Sequence, residues 1–148
     1  MRELYDVGRA AGLDVGERRI GVAVSDATRT LARPVGVLHT SGLDGDAVER
    51  AVAEVARLAA EEDGVATLVI GLPRRLDGSP SDMTPRVEAF ASALGVRTSL
   101  PVILQDERLS SREAESRLAL REKDWRVRRE RLDAAAAAVI LQDYLDQH

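Results

Sequence analysis

The chain has 148 residues, 45% of them hydrophobic but only 3% aromatic, so its length fits one domain whose core rests on Val, Leu, Ile and Ala. It has no cysteine, which excludes disulfides and thiolate metal sites, and no run approaches the ~20 apolar residues of a membrane-spanning helix. Net charge is -4, yet residues 107–131 hold nine basic and six acidic side chains, a locally positive stretch on an acidic body that can steer a polyanion.

The opening, MRELYDVGRAAGLDVG, has no apolar segment followed by a small-residue cleavage site. A soluble cytoplasmic protein is therefore expected, with a leader at 1–9 and a single domain at 10–148. Alternation then sets in. Leu13 and Val15 point one way and Gly12 and Asp14 the other; Ile20, Val22 and Val24 oppose Gly21, Ala23 and Ser25. Gly16-Glu17-Arg18 is a tight connection, so these are read as hairpin strands. A third strand is expected around 32–38, near a sheet edge because of Pro34.

Helical spacing of Val48, Val52, Val55, Ala56 and Ala59 predicts a helix over 46–62, stopped by Gly64. The continuous apolar run at 66–72 suits a buried parallel strand and leads into the polar loop 74–80. A helix over 84–94 is expected to close before Gly95, followed by a strand over 101–105. Ser110 or Ser111 can cap a further helix carrying Ala114, Leu118 and Leu120. Residues 121–129 are charged without a clear period, and a last helix is predicted over 130–146. Hairpin strands followed by strand–helix alternation give an α/β class: a mixed five-stranded sheet with helices on both faces.

Three carboxylates stand where a carboxylate is costly or useful. Asp14 lies mid-strand, where Asp is disfavoured, among the small residues Gly12, Gly21, Ala23 and Ser25, which leave space for an ion or a closely packed helix. An Asp before a glycine turn can equally end a strand and cap the turn. Glu107 comes at the carboxyl end of a predicted parallel strand, where ligand sites collect in open α/β sheets. On a helical wheel Asp133 falls at the centre of the apolar stripe of the last helix, with Ala137, Ile140 and Tyr144. There it needs a metal, a proton or a cation such as Arg108. The run Ala134 to Ala138 lets that helix approach the small face of the hairpin and brings Asp133 toward Asp14. Three oxygen ligands suit Mg²⁺ or Mn²⁺. A pair of such ions can activate water against a phosphodiester.

These residues also carry a resemblance. Gly12-Leu13-Asp14-Val15-Gly16 with Arg19-Ile20-Gly21-Val22-Ala23-Val24-Ser25-Asp26 resembles the opening of the YqgF family, also called RuvX. Ile70-Gly71-Leu72-Pro73 with Asp77-Gly78-Ser79 matches further, as do Asp106-Glu107-Arg108-Leu109-Ser110-Ser111 and Asp133 with Ala135-Ala136, Ile140-Leu141-Gln142 and Tyr144-Leu145. In this order and spacing the matches span about Gly12 to Asp146. The resemblance implies an RNase H-like fold and catalytic, metal-holding acids at Asp14, Glu107 and Asp133. It implies a nuclease, with members usually assigned to 5′-end processing of pre-16S rRNA and also proposed to resolve Holliday junctions. Residues 121–129 match loosely, and the leader matches nothing in the family.

Other side chains can serve such a nuclease. Arg19, Arg74, Arg75 and Arg108 are candidates for phosphate contact, with Gly78 allowing close approach. Arg126, Arg128 and Arg129, next to Arg131, form a basic cluster, and Trp125 can stack on a base, although a lone Trp more often packs. His39 and His148 have no metal-like partner at useful spacing. The first expectation is a metal-dependent endonuclease acting on pre-rRNA, with ribosomal precursor particles as partners and no membrane. The alternatives are a Holliday junction resolvase on branched DNA, for which a dimer would be expected, and a non-catalytic RNA-binding module. Leu13-Asp14-Val15-Gly16 also resembles the phosphate-binding hairpin of actin-like and sugar-kinase-like phosphotransferases, but those need two domains.

Overall fold

The computed structural model describes residues 8–107 and 125–148, with side chains in the second stretch described from Asp133 onward. The first two strands, β1 (Arg9–Val15) and β2 (Arg19–Ser25), pair antiparallel, with Asp14 opposite Gly21. The turn between them closes when Gly16 N–H donates to Arg19 O at 2.8 Å. Strand β3 (Ala32–His39) adds antiparallel to β2 and forms one edge of the sheet. Pro34 sits at the irregularity between Val22 and Ala23, where one ladder bond is lost at little cost.

Helix α1 (Gly45–Ala59) begins at Asp44, whose side chain accepts from the N–H groups of Asp46 and Ala47. Strand β4 (Val65–Leu72) then pairs parallel with β1, and β5 (Val102–Asp106) pairs parallel with β4. The order is β3-β2-β1-β4-β5. The mixed five-stranded sheet expected from the sequence is thus present.

Helix α2 (Thr84–Thr98) does not close before Gly95. It runs one turn further and ends at Ser99, which is left-handed (φ 60°) and whose N–H donates to Gly95 O. Gly95 is interior to the helix, and a Cβ on it would come within 3.1 Å of Val102 Cγ2, a tight contact between α2 and β5. Helix α3 (Trp125–Gln147) starts five residues before the expected point and takes in part of the segment read as aperiodic. The helix expected near Ser110 lies outside the described residues.

Helices α1 and α2 cover one face of the sheet over a core that includes Leu13, Ile20, Leu68, Ile70, Phe90 and Leu94. Helix α3 covers the other, where Ala10, Ala23, Val69, Ala137, Ile140 and Leu141 are buried together. Arg9, expected in the leader, is instead the buried first residue of β1. Its guanidinium donates to Leu58 O, Gly64 O and Glu61 Oε1, satisfying carbonyls at the end of α1. Among the described residues no helix is long and apolar enough to cross a membrane.

Candidate active site

The carboxyl ends of the parallel strands β1, β4 and β5 lie at one end of the sheet, and the acids gather there. Asp14 is the penultimate residue of β1. Glu107 follows β5 directly, and its N–H extends the pairing by donating to Leu72 O at 3.3 Å. Its side chain folds back over β4 at Gly71. A Cβ there would lie 2.6 Å from Ile140 Cδ1 and 2.8 Å from Glu107 Oε2, so a larger residue would displace the carboxylate from this place. Glu107 reaches Asp14 this way, and the two carboxyls share a hydrogen bond.

Asp133 comes from α3. The helix backbone rests directly on β2: a Cβ on Gly21 would be 2.0 Å from Asp133 O. On β1, two residues before Asp14, a Cβ on Gly12 would likewise come 2.8 Å from Leu141 Cβ and 3.1 Å from Ala137 O. Glycines on the sheet and alanines on the helix therefore set the close approach expected from the sequence. The buried residues of α3 are Ala134, Ala136, Ala137, Ile140, Leu141 and Leu145. Ile140 and Ala137 flank Asp133 on the helix surface, so Asp133 lies within the apolar stripe as expected, half-buried at the end that opens to the cavity. Its Oδ2 is 3.6 Å from Arg19 Nε, with both side chains a little over one-quarter exposed.

Electrostatics sort the three acids. Burial raises the Asp14 carboxyl to about 6; the hydrogen bond from Glu107 pulls it down, and the charge of Asp133 pushes it up again. Glu107 rises to about 9, first through burial, then through the charge of Asp14 and its own role as proton donor to Asp14, and last through Asp106. Around neutrality Glu107 is thus protonated and donates to Asp14. Its other oxygen, Oε2, is buried without a hydrogen-bond partner among the described residues.

This arrangement fits a divalent cation. The donors are all carboxylate oxygens, as Mg²⁺ and Mn²⁺ prefer. Glu107 Oε2 is buried with no donor among the described residues, and two carboxyls are crowded together at the cost of holding a proton. Among the described residues, however, no three acids stand at the spacing that holds an ion directly. Asp14 and Glu107 are in contact, whereas Asp133 faces them from α3 against Arg19. Asp14 and Asp133 line one cavity of about 500 Å³ with Val15, Gly16, Glu17, Arg18, Arg19, Pro73 and Met83.

Of the predicted phosphate contacts, Arg19 lines that cavity and Arg74 and Arg75 do not. Those two are exposed in a closed turn held by Arg75 N–H to Ser79 O and by Asp77 Oδ1, which accepts from Ser79. Gly78 serves the turn itself, at φ 88°. Arg108 and the side chains of Trp125, Arg126, Arg128, Arg129 and Arg131 lie outside the described residues. Glu17, Arg18, Pro73 and Met83 were not anticipated as cavity residues. The role of Gly71 was legible only as an isolated glycine within an apolar strand.

A family model described as "RuvX: Holliday junction resolvase" matches residues 8–147. A relative from Chloroflexus aggregans named "Putative pre-16S rRNA nuclease" is 43% identical over 136 residues, 91% of each chain. A relative of the same name from Anaeromyxobacter sp. is 44% identical over 138 residues, 93% of this chain and 96% of its own. Among solved structures, Thermus thermophilus RuvC in complex with a Holliday junction substrate covers 95% of both chains with a TM-score of 0.53 at 18% identity, a likeness of fold.

Proposed function

Because this chain belongs to the RuvX family, we propose that it is a cytoplasmic, metal-dependent endonuclease of the two-metal type. Its substrate on this reading is the 5′ region of pre-16S rRNA, in keeping with the name its relatives carry at 43–44% identity over nine-tenths of the chain. The observation that carries the reading is the Asp14–Glu107 pair. Two carboxyls are forced together under burial, with an unsatisfied oxygen, at the carboxyl ends of parallel strands. Carboxyls with pKa values so strongly raised, in a cleft, mark functional sites.

Asp14, Glu107 and Asp133 would hold Mg²⁺ or Mn²⁺. A bound cation would neutralise charge at the scissile phosphate and would lower the pKa of a coordinated water that attacks it. For this set to act, Glu107 gives up the proton it donates to Asp14, and both become anionic. Arg19 holds Asp133 at the cavity wall and presents N–H donors to a phosphate oxygen. Gly21 and Gly71 keep the three acids close without side chains of their own.

The test is cleavage of a pre-16S 5′-leader RNA beside a four-way DNA junction, with Mg²⁺, with Mn²⁺ and with chelator. Cutting of the RNA that needs metal and is lost in Asp14→Asn is expected. Equal cutting in chelator would remove the metal reading. Cutting of the junction alone would give the chain the activity that its family's description names.

A further inference from the structure

The cavity at the acids does not end at Glu17. Beyond it an open groove of about 400 Å³ is lined by Glu17, Arg18, Thr40, Ser41, Gly42 and Arg86, and Glu17 and Arg18 line both spaces. The groove is framed by backbone bonds between the β1–β2 turn and the loop after β3. Thr40 N–H donates to Arg18 O at 2.9 Å, Gly42 N–H to Glu17 O at 2.6 Å, and Thr40 Oγ1 to Glu17 O at 3.2 Å. These groups are used internally, so the groove offers a ligand its side chains.

Those side chains favour an anion. Arg18 is exposed, beside the Glu17 carboxylate on which its charge acts. Arg86 reaches over from α2 to the Glu17 carboxylate. Both partners are about half exposed, so their ion pair adds little to stability and is readily exchanged. A phosphate is a better partner for a guanidinium than one exposed carboxylate, because it carries charge on several oxygens in a matching fork. Among the described residues no aromatic side chain lines the groove to take a base, so its chemistry suits the backbone of a strand.

We infer that this groove is a second phosphate subsite, which seats a phosphodiester of the substrate strand flanking the one to be cut. Arg86 exchanges Glu17 for that phosphate, and Arg18 closes on it from the hairpin turn. The inference rests on the nuclease reading and adds to it a fixed path for the strand, from the acids across the β1–β2 turn toward the amino end of α2.

The experiment measures binding of a fluorescein-labelled single-stranded RNA by anisotropy over a range of salt, in Mg²⁺. Asp14→Asn is present throughout to prevent cleavage. Arg86→Ala is expected to weaken binding about fivefold and to lower the slope of log affinity against log salt by about one. Glu17→Gln removes the competing carboxylate and is expected to tighten binding about threefold, a gain that misfolding cannot imitate. Affinities and salt slopes that are alike in all three proteins would overturn the groove and leave the nuclease reading standing. Binding by none of them would overturn both.

Discussion

At the scale of the residue, the account turns on a proton. Glu107 is raised in the fold from an ordinary 4.5 to about 9. Between those values the native state holds a proton that the unfolded chain has released, so stability falls as pH rises through that window. Asp14 acts in the same sense between 3.8 and about 6. In chelator, the wild-type urea midpoint should therefore fall more steeply from pH 6 to pH 9 than that of Glu107→Gln, which has no such proton to lose. The difference should reach ~1–3 kcal/mol at the alkaline end, after discount for partial exposure. Parallel profiles would contradict the buried pair. Chemistry made two of these acids legible in the sequence: an Asp in a strand and an Asp within an apolar stripe both need a reason. The partner of Asp133 was not legible: Arg19, read as a phosphate contact, lines the cavity and also stands against Asp133, a pairing of strand and helix residues that no local pattern contains.

At the scale of the element, the site depends on how near α3 lies to β1 and β2. Gly21→Ala puts a Cβ into the backbone of Asp133, and a backbone cannot swing aside as a side chain can. It should cost ~2–3 kcal/mol by denaturant unfolding. It should also weaken metal binding, since the helix that carries Asp133 must lift. A variant with unchanged stability and unchanged metal affinity would show that the contact does not set the site. Asp44→Ala is the contrasting case. It removes the side-chain acceptor at the start of α1, on the face of the sheet away from α3. It should cost ~1 kcal/mol and leave metal affinity alone. Strand positions were readable from alternation, and helix existence from spacing. The end of α2 was not, because Gly95 reads locally as a stop. It is in fact interior to the helix and close against Val102, a contact between residues of two elements that local spacing does not show. The early start of α3 escaped for the same reason: its first turns carry charge rather than an apolar period.

At the scale of the whole molecule, a mixed sheet with helices on both faces followed from hairpin patterning and then strand–helix alternation. The order β3-β2-β1-β4-β5 did not. Placing β4 beside β1 requires the chain to pass over β2 after leaving β3, and apolar patterning says only that β4 is buried, not between which neighbours. That placement is what assembles the site, since it sets Gly71 next to β1 and lets Glu107 reach Asp14. Folding thus crowds Asp14 and Glu107 together under burial, and on the proposed reading the native state should gain stability from a cation. Calorimetric titration of the wild-type protein with Mn²⁺ at pH 7, in two buffers of different ionisation enthalpy, tests this most directly. Binding should release a proton from the Asp14–Glu107 pair, seen as a buffer-dependent enthalpy equivalent to about one proton. That dependence should vanish in Glu107→Gln. Mn²⁺ binding with no proton release, or equal binding by wild type, Asp14→Asn and Glu107→Gln, would contradict a metal site built on these acids.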